Sequence, residues 1–275
     1  MTSKKICPIC HTESTHFSTL AIRDGITGEY YSCNSCKFIY AENPNWLEGS
    51  FTDALNSLDI GSVDRCNIVA DFVEVLANSL KVDNPKVLDW GGGYGLLTRI
   101  LRDRGIRCAH YDPYTEPLFA ENTALQTGTR FDLIVLSEVM LHMTDPVSTL
   151  TELLKFSDNI MFTAVIAPPD ITPDWWYFMP DTGQHVAIFS QKTIPELGAA
   201  LKVNTLSDKQ FFHLVAKDQP GVLTRLLFTK RFIPFGVAAL LYLKRQAMRA
   251  LGKSNSLLQN DQEELINKLP WRNKQ

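Results

Sequence analysis

The run Lys86-Val87-Leu88-Asp89-Trp90-Gly91-Gly92-Gly93-Tyr94-Gly95 constrains the fold of this chain more than any other stretch. A short apolar strand leads into a glycine-rich turn, and Leu96 to Arg102 then repeats at helical spacing. Strand, glycine turn and helix form the first unit of a doubly wound α/β sheet. Glycines permit positive φ and let a ligand approach the backbone closely. Helix amides beyond the turn suit an anionic group. The spacing Asp89-x-Gly91-x-Gly93-x-Gly95 is not the dinucleotide fingerprint. Gly-x-Gly-x-x-Gly counted from Gly91 ends on Leu96, and counted from Gly93 it ends on Thr98. No Gly-Lys-Ser/Thr follows the turn, which excludes a Walker phosphate loop there.

Further strands follow at intervals suited to a parallel sheet. Ile106 to Asp112 reads as a strand ended by Pro113, and Asp112 lies 23 residues beyond Asp89. An acid about 20 residues past the glycine turn suits ribose hydroxyls, and a carboxylate can accept from two of them. Phe131 to Ser137 is continuous and apolar, as a buried parallel strand should be. Asn159 to Ala167 reads as a further strand, and Val203–Ser207 with Phe211–Ala216 as a closing pair. Thr193–Leu201 reads as a helix. A weakly marked strand is expected within Leu118–Leu125.

The Asp-x-Gly-x-Gly-x-Gly run, Asp112, and the Ser137-Glu138-Val139-Met140-Leu141-His142 segment before Asp145-Pro146 together resemble the class I S-adenosylmethionine-dependent methyltransferases. The resemblance covers about Val87 to Lys217. It implies a seven-stranded, Rossmann-like methyltransferase sheet whose last two strands form an antiparallel hairpin. It also implies S-adenosylmethionine as cofactor, bound by Asp89, Gly91, Gly93, Gly95, Asp112, Ser137 and Glu138.

Cys7-Pro8-Ile9-Cys10 and Cys33-Asn34-Ser35-Cys36 are two Cys-x-x-Cys pairs. Each tight turn aims two sulfurs at one ion, and two turns complete a tetrahedral thiolate site suited to structural zinc. Such a site has no open position for catalysis. Phe17–Leu20 and Tyr30–Ser32 are expected as short strands of a zinc ribbon. The ribbon is not a polyanion reader, because Lys4, Lys5, Arg23 and Lys37 are balanced by Glu13, Asp24, Glu29 and Glu42.

Pro168 to Ser190 is expected as a long irregular loop holding Trp175-Trp176-Tyr177-Phe178-Met179-Pro180-Asp181-Thr182-Gly183-Gln184-His185. Long aromatic loops are expensive to order without a purpose, and ligands in open α/β sheets bind beyond the carboxyl ends of strands. The run resembles a group of zinc-bearing methyltransferases associated with glycan, sugar and secondary-metabolite pathways. The expected chemistry is O-methylation of a sugar or glycan-linked intermediate. Histidine is the natural base near neutral pH. His185 is the first choice and His142 the second, with Tyr177 and Asp181 positioning the acceptor hydroxyl.

Four regions are expected: a zinc module over 1–44, a helical bridge over 45–84, the methyltransferase domain over 85–219 and a helical extension over 220–275. The bridge reads as helical from Trp46 through Leu80. Between Gly221 and Lys253 the bases Arg225, Lys230, Arg231, Lys244, Arg245, Arg249 and Lys253 are interrupted by no acid. Packed helices are the first expectation for this tail, and peripheral contact with a membrane carrying a lipid-linked substrate the second. A net charge of −3 argues against nucleic acid as partner. A cytoplasmic protein is expected. The alternative classes are an RNA methyltransferase and a non-catalytic binding protein on the same fold.

Overall fold

The computed structural model describes residues 4–22, 25–51, 59–80, 82–121, 123–125, 128–229, 232–253 and 256–268. In chain order the strands and helices are β1 Lys5–Ile6, β2 Glu13–Ala21, β3 Thr27–Cys33, β4 Ile39–Ala41, α1 Ser62–Ser79, β5 Lys86–Trp90, α2 Leu96–Asp103, β6 Arg107–Tyr111 and β7 Leu133–Leu136. There follow α3 Pro146–Leu153, β8 Asn159–Thr163, β9 Ala187–Ile188, α4 Thr193–Leu201, β10 Asn204–Ser207, β11 Phe212–Ala216, α5 Val222–Thr229, α6 Phe232–Ala250 and α7 Leu258–Lys268. The chain folds as two compact units. One comprises Met1–Asp53 with Leu136–Thr229, and the other Ala54–Val135 with Lys230–Gln275.

The unit containing Ala54–Val135 is built on β5, which pairs in parallel with β6 (Leu88 opposite Ala109) and with β7 (Leu88 opposite Ile134). All four β7 residues are buried, as its unbroken apolar sequence requires. Helix α1 turns Val69, Phe72, Val73 and Leu76 inward. Two arginine systems tie the helices together. Arg104 and Arg245 both bond Glu74 of α1, and Arg99 and Arg102 both bond Asp261 of α7. Asp261 is 3% exposed, so α7 is fastened through a buried ion pair rather than a solvated one.

Among the described residues the larger sheet has six strands, in the order β10–β11–β8–β7–β5–β6, and the seventh expected strand is not seen among them. Among the described residues, the strand sought in Leu118–Leu125 is reduced to one parallel bridge between His110 and Ala124. The polar stretch around Thr123 lacks the β-branched apolar run a strand needs. The expected closing pair is present, with β11 antiparallel to both β10 and β8. Among the described residues, the α-helix expected over Trp46–Leu80 is seen as Ser62–Ser79. Before it, Glu48–Ser50 is a single 3-10 turn, and Asn56 and its neighbours lie outside the described residues. Gly49 and Gly61 disfavour helix at both ends of that stretch.

In the other unit, β1, β2, β3, β4 and β9 form a five-stranded antiparallel sheet. Strands β2 and β3 are longer than expected, with a register shift between His16 and Ser18. Its fifth strand comes from the segment expected as a loop, since Ile188 pairs with Ile39 and Ala187 with Tyr40. Trp175 to Ile188 is therefore a packed part of this unit. Phe178 is 1% exposed and stacks on Phe17 at 5.7 Å between ring centres, with Tyr30 edge-on at 5.5 Å. Trp46 Nε1 donates to the Gly183 carbonyl at 2.9 Å. Gly183 has φ +69°, and a Cβ there would sit 2.9 Å from the Ile22 side chain.

Candidate cofactor cradle and metal centre

The glycine turn emerges at the carboxyl end of β5. Gly91, Gly93 and Gly95 take φ values of +74°, +54° and +82°, the left-handed region that glycine reaches at least strain. Gly91 N donates to the Tyr111 carbonyl at 2.7 Å, which holds the turn against the end of β6. Gly92 serves closeness: a Cβ there would lie 2.7 Å from Asp89 Oδ2 and 2.8 Å from the His110 ring. At Gly95 a Cβ would meet that of Ala120 at 2.6 Å.

Asp89 is placed beneath the turn, 1% exposed. Its Oδ2 accepts from Thr98 Oγ1 at 2.8 Å and Thr98 N at 3.2 Å, so its visible role is to fasten the turn to α2. Burial pushes its carboxyl up to about 6, against the lowering effect of the Thr98 hydroxyl. Asp112 is half-buried at the end of β6. Its Oδ2 accepts from Gly93 N at 2.8 Å, and its Oδ1 from Tyr114 N at 2.9 Å and Thr115 N at 3.0 Å. A carboxylate has about four acceptor positions, so three amides leave Oδ2 one lone pair for a further donor. His110, 4% exposed, brings Nε2 to 2.9 Å from the Gly93 carbonyl. Sequence reasoning missed Thr98 and His110. The signal for Thr98 was a hydroxyl in the first turn of a helix that begins on glycine.

In the other unit, Ser137 and Glu138 are half-buried just beyond β7. Glu138 has φ +59°, uncommon for a residue with a side chain. Its Oε1 accepts from Thr163 Oγ1 and its Oε2 from the Tyr177 hydroxyl, both at 2.8 Å. Its own N–H donates to Thr163 Oγ1 at 2.8 Å, and the Tyr177 hydroxyl accepts from Val165 N at 2.9 Å. Strain that persists inside a satisfied network marks a position held for a purpose. Thr163 gave no warning in the sequence.

His185 is 8% exposed. Its Nδ1 lies 2.6 Å from the Tyr177 carbonyl. A carbonyl only accepts, so Nδ1 carries the proton and the basic lone pair of the neutral ring is on Nε2. The Tyr30 hydroxyl donates to the His185 carbonyl at 3.1 Å. His142, half-buried, lies 5.7 Å from His185 and 5.4 Å from Phe51 between ring centres. Burial, with the neighbouring His185 adding to it, pushes the His142 imidazole down to about 3. The structure thus brings Glu138, Tyr177, His142 and His185 into one cluster. Asp181 is an exposed turn residue. Of the aromatic run, Tyr177 and Phe178 are buried core and only Trp176 is widely exposed, at 63%. The expectation of a long irregular aromatic loop is corrected accordingly: Phe178 packs against Phe17 and Tyr30 of the five-stranded sheet, and Tyr177 bonds Glu138.

Cys7, Cys10, Cys33 and Cys36 bring their sulfurs within 4.8 Å of one another. Cys7 and Cys36 are 3.7 Å apart, and Cys10 and Cys33 3.4 Å. These separations exclude disulfides. They approach the roughly 3.8 Å edge of a tetrahedron with zinc–sulfur bonds of about 2.3 Å. The two turns share one backbone design. His11 and Lys37, each following the second cysteine of its pair, have φ +55° and +58°. Their N–H groups donate to the Cys7 and Cys33 carbonyls at 3.1 and 3.2 Å. The donor set and spacing fit a four-thiolate metal.

Parallel strands around β5, with a glycine turn at its carboxyl end and an acid just beyond β6, define an α/β fold with a mixed sheet. Residues 64–201 match the profile of a family described as a methyltransferase domain, and the chain belongs to that family. No curated protein matches the chain in sequence. Similar solved structures include the magnesium protoporphyrin IX methyltransferase of Synechocystis PCC 6803 with bound SAH, at 13% identity over 58% of this chain and 86% of that one, with a TM-score of 0.43. The mitomycin 7-O-methyltransferase shares 14% identity over 54% of each chain, with a TM-score of 0.39. The plantazolicin methyltransferase with SAH shares 11% identity over 64% of this chain and 98% of that one, with a TM-score of 0.42. Family membership rests on the match over 64–201.

Proposed function

We propose that the protein is an S-adenosylmethionine-dependent methyltransferase. The observation that carries this is the glycine cradle: three left-handed glycines, positions at Gly92 and Gly95 with no room for a Cβ, and Asp112 with an acceptor position in hand. In this reading the backbone of Gly91 to Gly95 lies against the cofactor and the first amides of α2 meet its carboxylate. Asp112 would receive a ribose hydroxyl at the remaining acceptor position of Oδ2. Asp89 acts from below by holding the turn in place. The cofactor, when bound, supplies an electrophilic methyl group. The chain's part is to align the acceptor and take its proton.

His185 is the proposed base, because its Nδ1 bond to a carbonyl fixes the tautomer that puts the lone pair on Nε2. Glu138 and Tyr177 are proposed to position the acceptor. His142, driven to low pKa by burial, is a poorer base near neutral pH. The proposed reaction is O-methylation of a sugar or glycan-linked acceptor, with the exposed Trp176 face as a surface on which a sugar ring can pack. The four cysteines are proposed to hold one structural zinc. Ser190 and Thr193 hydroxyls both donate to the Cys36 carbonyl, at 2.7 and 3.0 Å. Metal binding is thereby coupled to the segment that carries His185. Calorimetric binding of S-adenosylmethionine tests the first claim, and its absence in folded protein would remove the reading.

A further inference from the structure

Helix α6 has two faces of different character. Pro234 and Ala238 are buried, and Leu241 and Arg245 half-buried, on the side that packs on α1, where Arg245 bonds Glu74. The opposite stripe is apolar and faces solvent. Leu240 and Leu243 are 67% and 62% exposed, and Leu251, just past the helix, is 70% exposed. Lys244, exposed, borders that stripe, and Arg249 and Lys253, also exposed, lie at and just past the end of the helix. Lys230 and Arg231, of the same basic run, lie outside the described residues.

We infer that the outer face of α6 docks on a lipid surface with anionic headgroups. Leu240, Leu243 and Leu251 enter the acyl boundary, while Lys244, Arg249 and Lys253 meet the headgroups. Exposed apolar residues beside bases is the arrangement of a helix lying in the interface plane. The charge pattern selects the partner. Gly221 to Lys253 contains seven bases and no acid, in a chain whose net charge is −3, so positive charge is concentrated here. A second copy of the chain is the poorer occupant. A two-fold interface sets the same patch against itself and would oppose bases to bases. No single helix among the described residues is long and apolar enough to cross a membrane, while α5 and α6 pass that test together only as a bent pair. The inference is independent of the cofactor proposal.

The test is flotation of the full chain with vesicles of phosphatidylcholine alone or mixed with phosphatidylglycerol. Two double variants are compared, Leu240→Glu with Leu243→Glu and Lys244→Glu with Arg249→Glu, each checked for retained fold by circular dichroism. The expected result is binding to the anionic vesicles only, weakened about tenfold or more by either pair and reduced by salt. The inference is overturned if wild type does not float, if it floats equally on neutral vesicles, or if both variants float as wild type does. It is also overturned if sedimentation equilibrium shows a dimer that Leu240→Glu with Leu243→Glu dissociates.

Discussion

Two glycines with the same backbone angle should respond very differently to one added methyl group. Gly95 and Gly128 have φ of +82° and +80°. Alanine at either position adopts a left-handed conformation, which destabilises by about 1–2 kcal/mol. At Gly128 that is the whole effect, because nothing lies within 4 Å of the new Cβ. At Gly95 the Cβ would stand 2.6 Å from the Cβ of Ala120 and 3.3 Å from its backbone nitrogen. Carbon atoms pack at about 3.5–4.0 Å, so the overlap is about 1 Å. Ala120 has little freedom to retreat. It is 1% exposed, its carbonyl accepts from Thr123, and the preceding Leu118 and Phe119 amides both bond the Tyr94 carbonyl. Overpacking of this kind adds about 1–3 kcal/mol. Gly95→Ala should therefore lose about 2–5 kcal/mol and Gly128→Ala about 1–2. Urea unfolding of the two variants beside wild type, followed by circular dichroism, measures the difference. Equal losses would refute the claim that the turn is closed by contact with Ala120.

Three further outcomes follow from named contacts. Tyr177→Phe removes a hydroxyl that bonds both Glu138 Oε2 and Val165 N, and should lower stability by about 1–3 kcal/mol; a variant as stable as wild type in urea would contradict the network. His213 is fully buried and its imidazole is pushed by burial from 6.5 to about 4. A base with a depressed folded pKa contributes stability that is present above about 6.5 and lost as pH falls toward 4, here about 3 kcal/mol in all. Urea midpoints across that window should fall with acid, and His213→Gln should flatten the fall. Protein purified without chelators should hold about one zinc per chain. Stripping the metal should speed hydrogen exchange first at Val186 to Thr193, which bonds to β4 and to the Cys36 carbonyl. Folded protein with no metal, or unchanged exchange there, would contradict the coupling.

Strongly local signals in the sequence located the right elements. β5, its glycine turn and α2 were legible because apolar run, glycine spacing and helical period succeed one another without a gap. The cysteine pairs were legible because two intervening residues dictate a turn. Pairing between distant segments left no such trace. Ile39 and Ile188 meet in one sheet although they lie 149 positions apart, and an apolar residue in a loop reads the same whether it faces a ligand or a core. That is why the sequence carries no sign that Phe178 belongs to the core rather than to the expected loop. Asp89 shows a related limit: spacing placed an acid at the end of the strand, but its direction depends on Thr98, nine residues on. In the tail, α6 packs on α1, and which of its faces stays apolar and exposed was not legible in the sequence.

The most direct measurement is calorimetry of S-adenosylmethionine and S-adenosylhomocysteine binding to wild type and to Asp112→Ala. Binding on the order of micromolar by wild type, weakened at least tenfold in the variant while its unfolding midpoint stays near that of wild type, is the predicted result. No heat of binding from folded, metal-loaded protein, or equal affinity in the variant, would contradict the cofactor assignment.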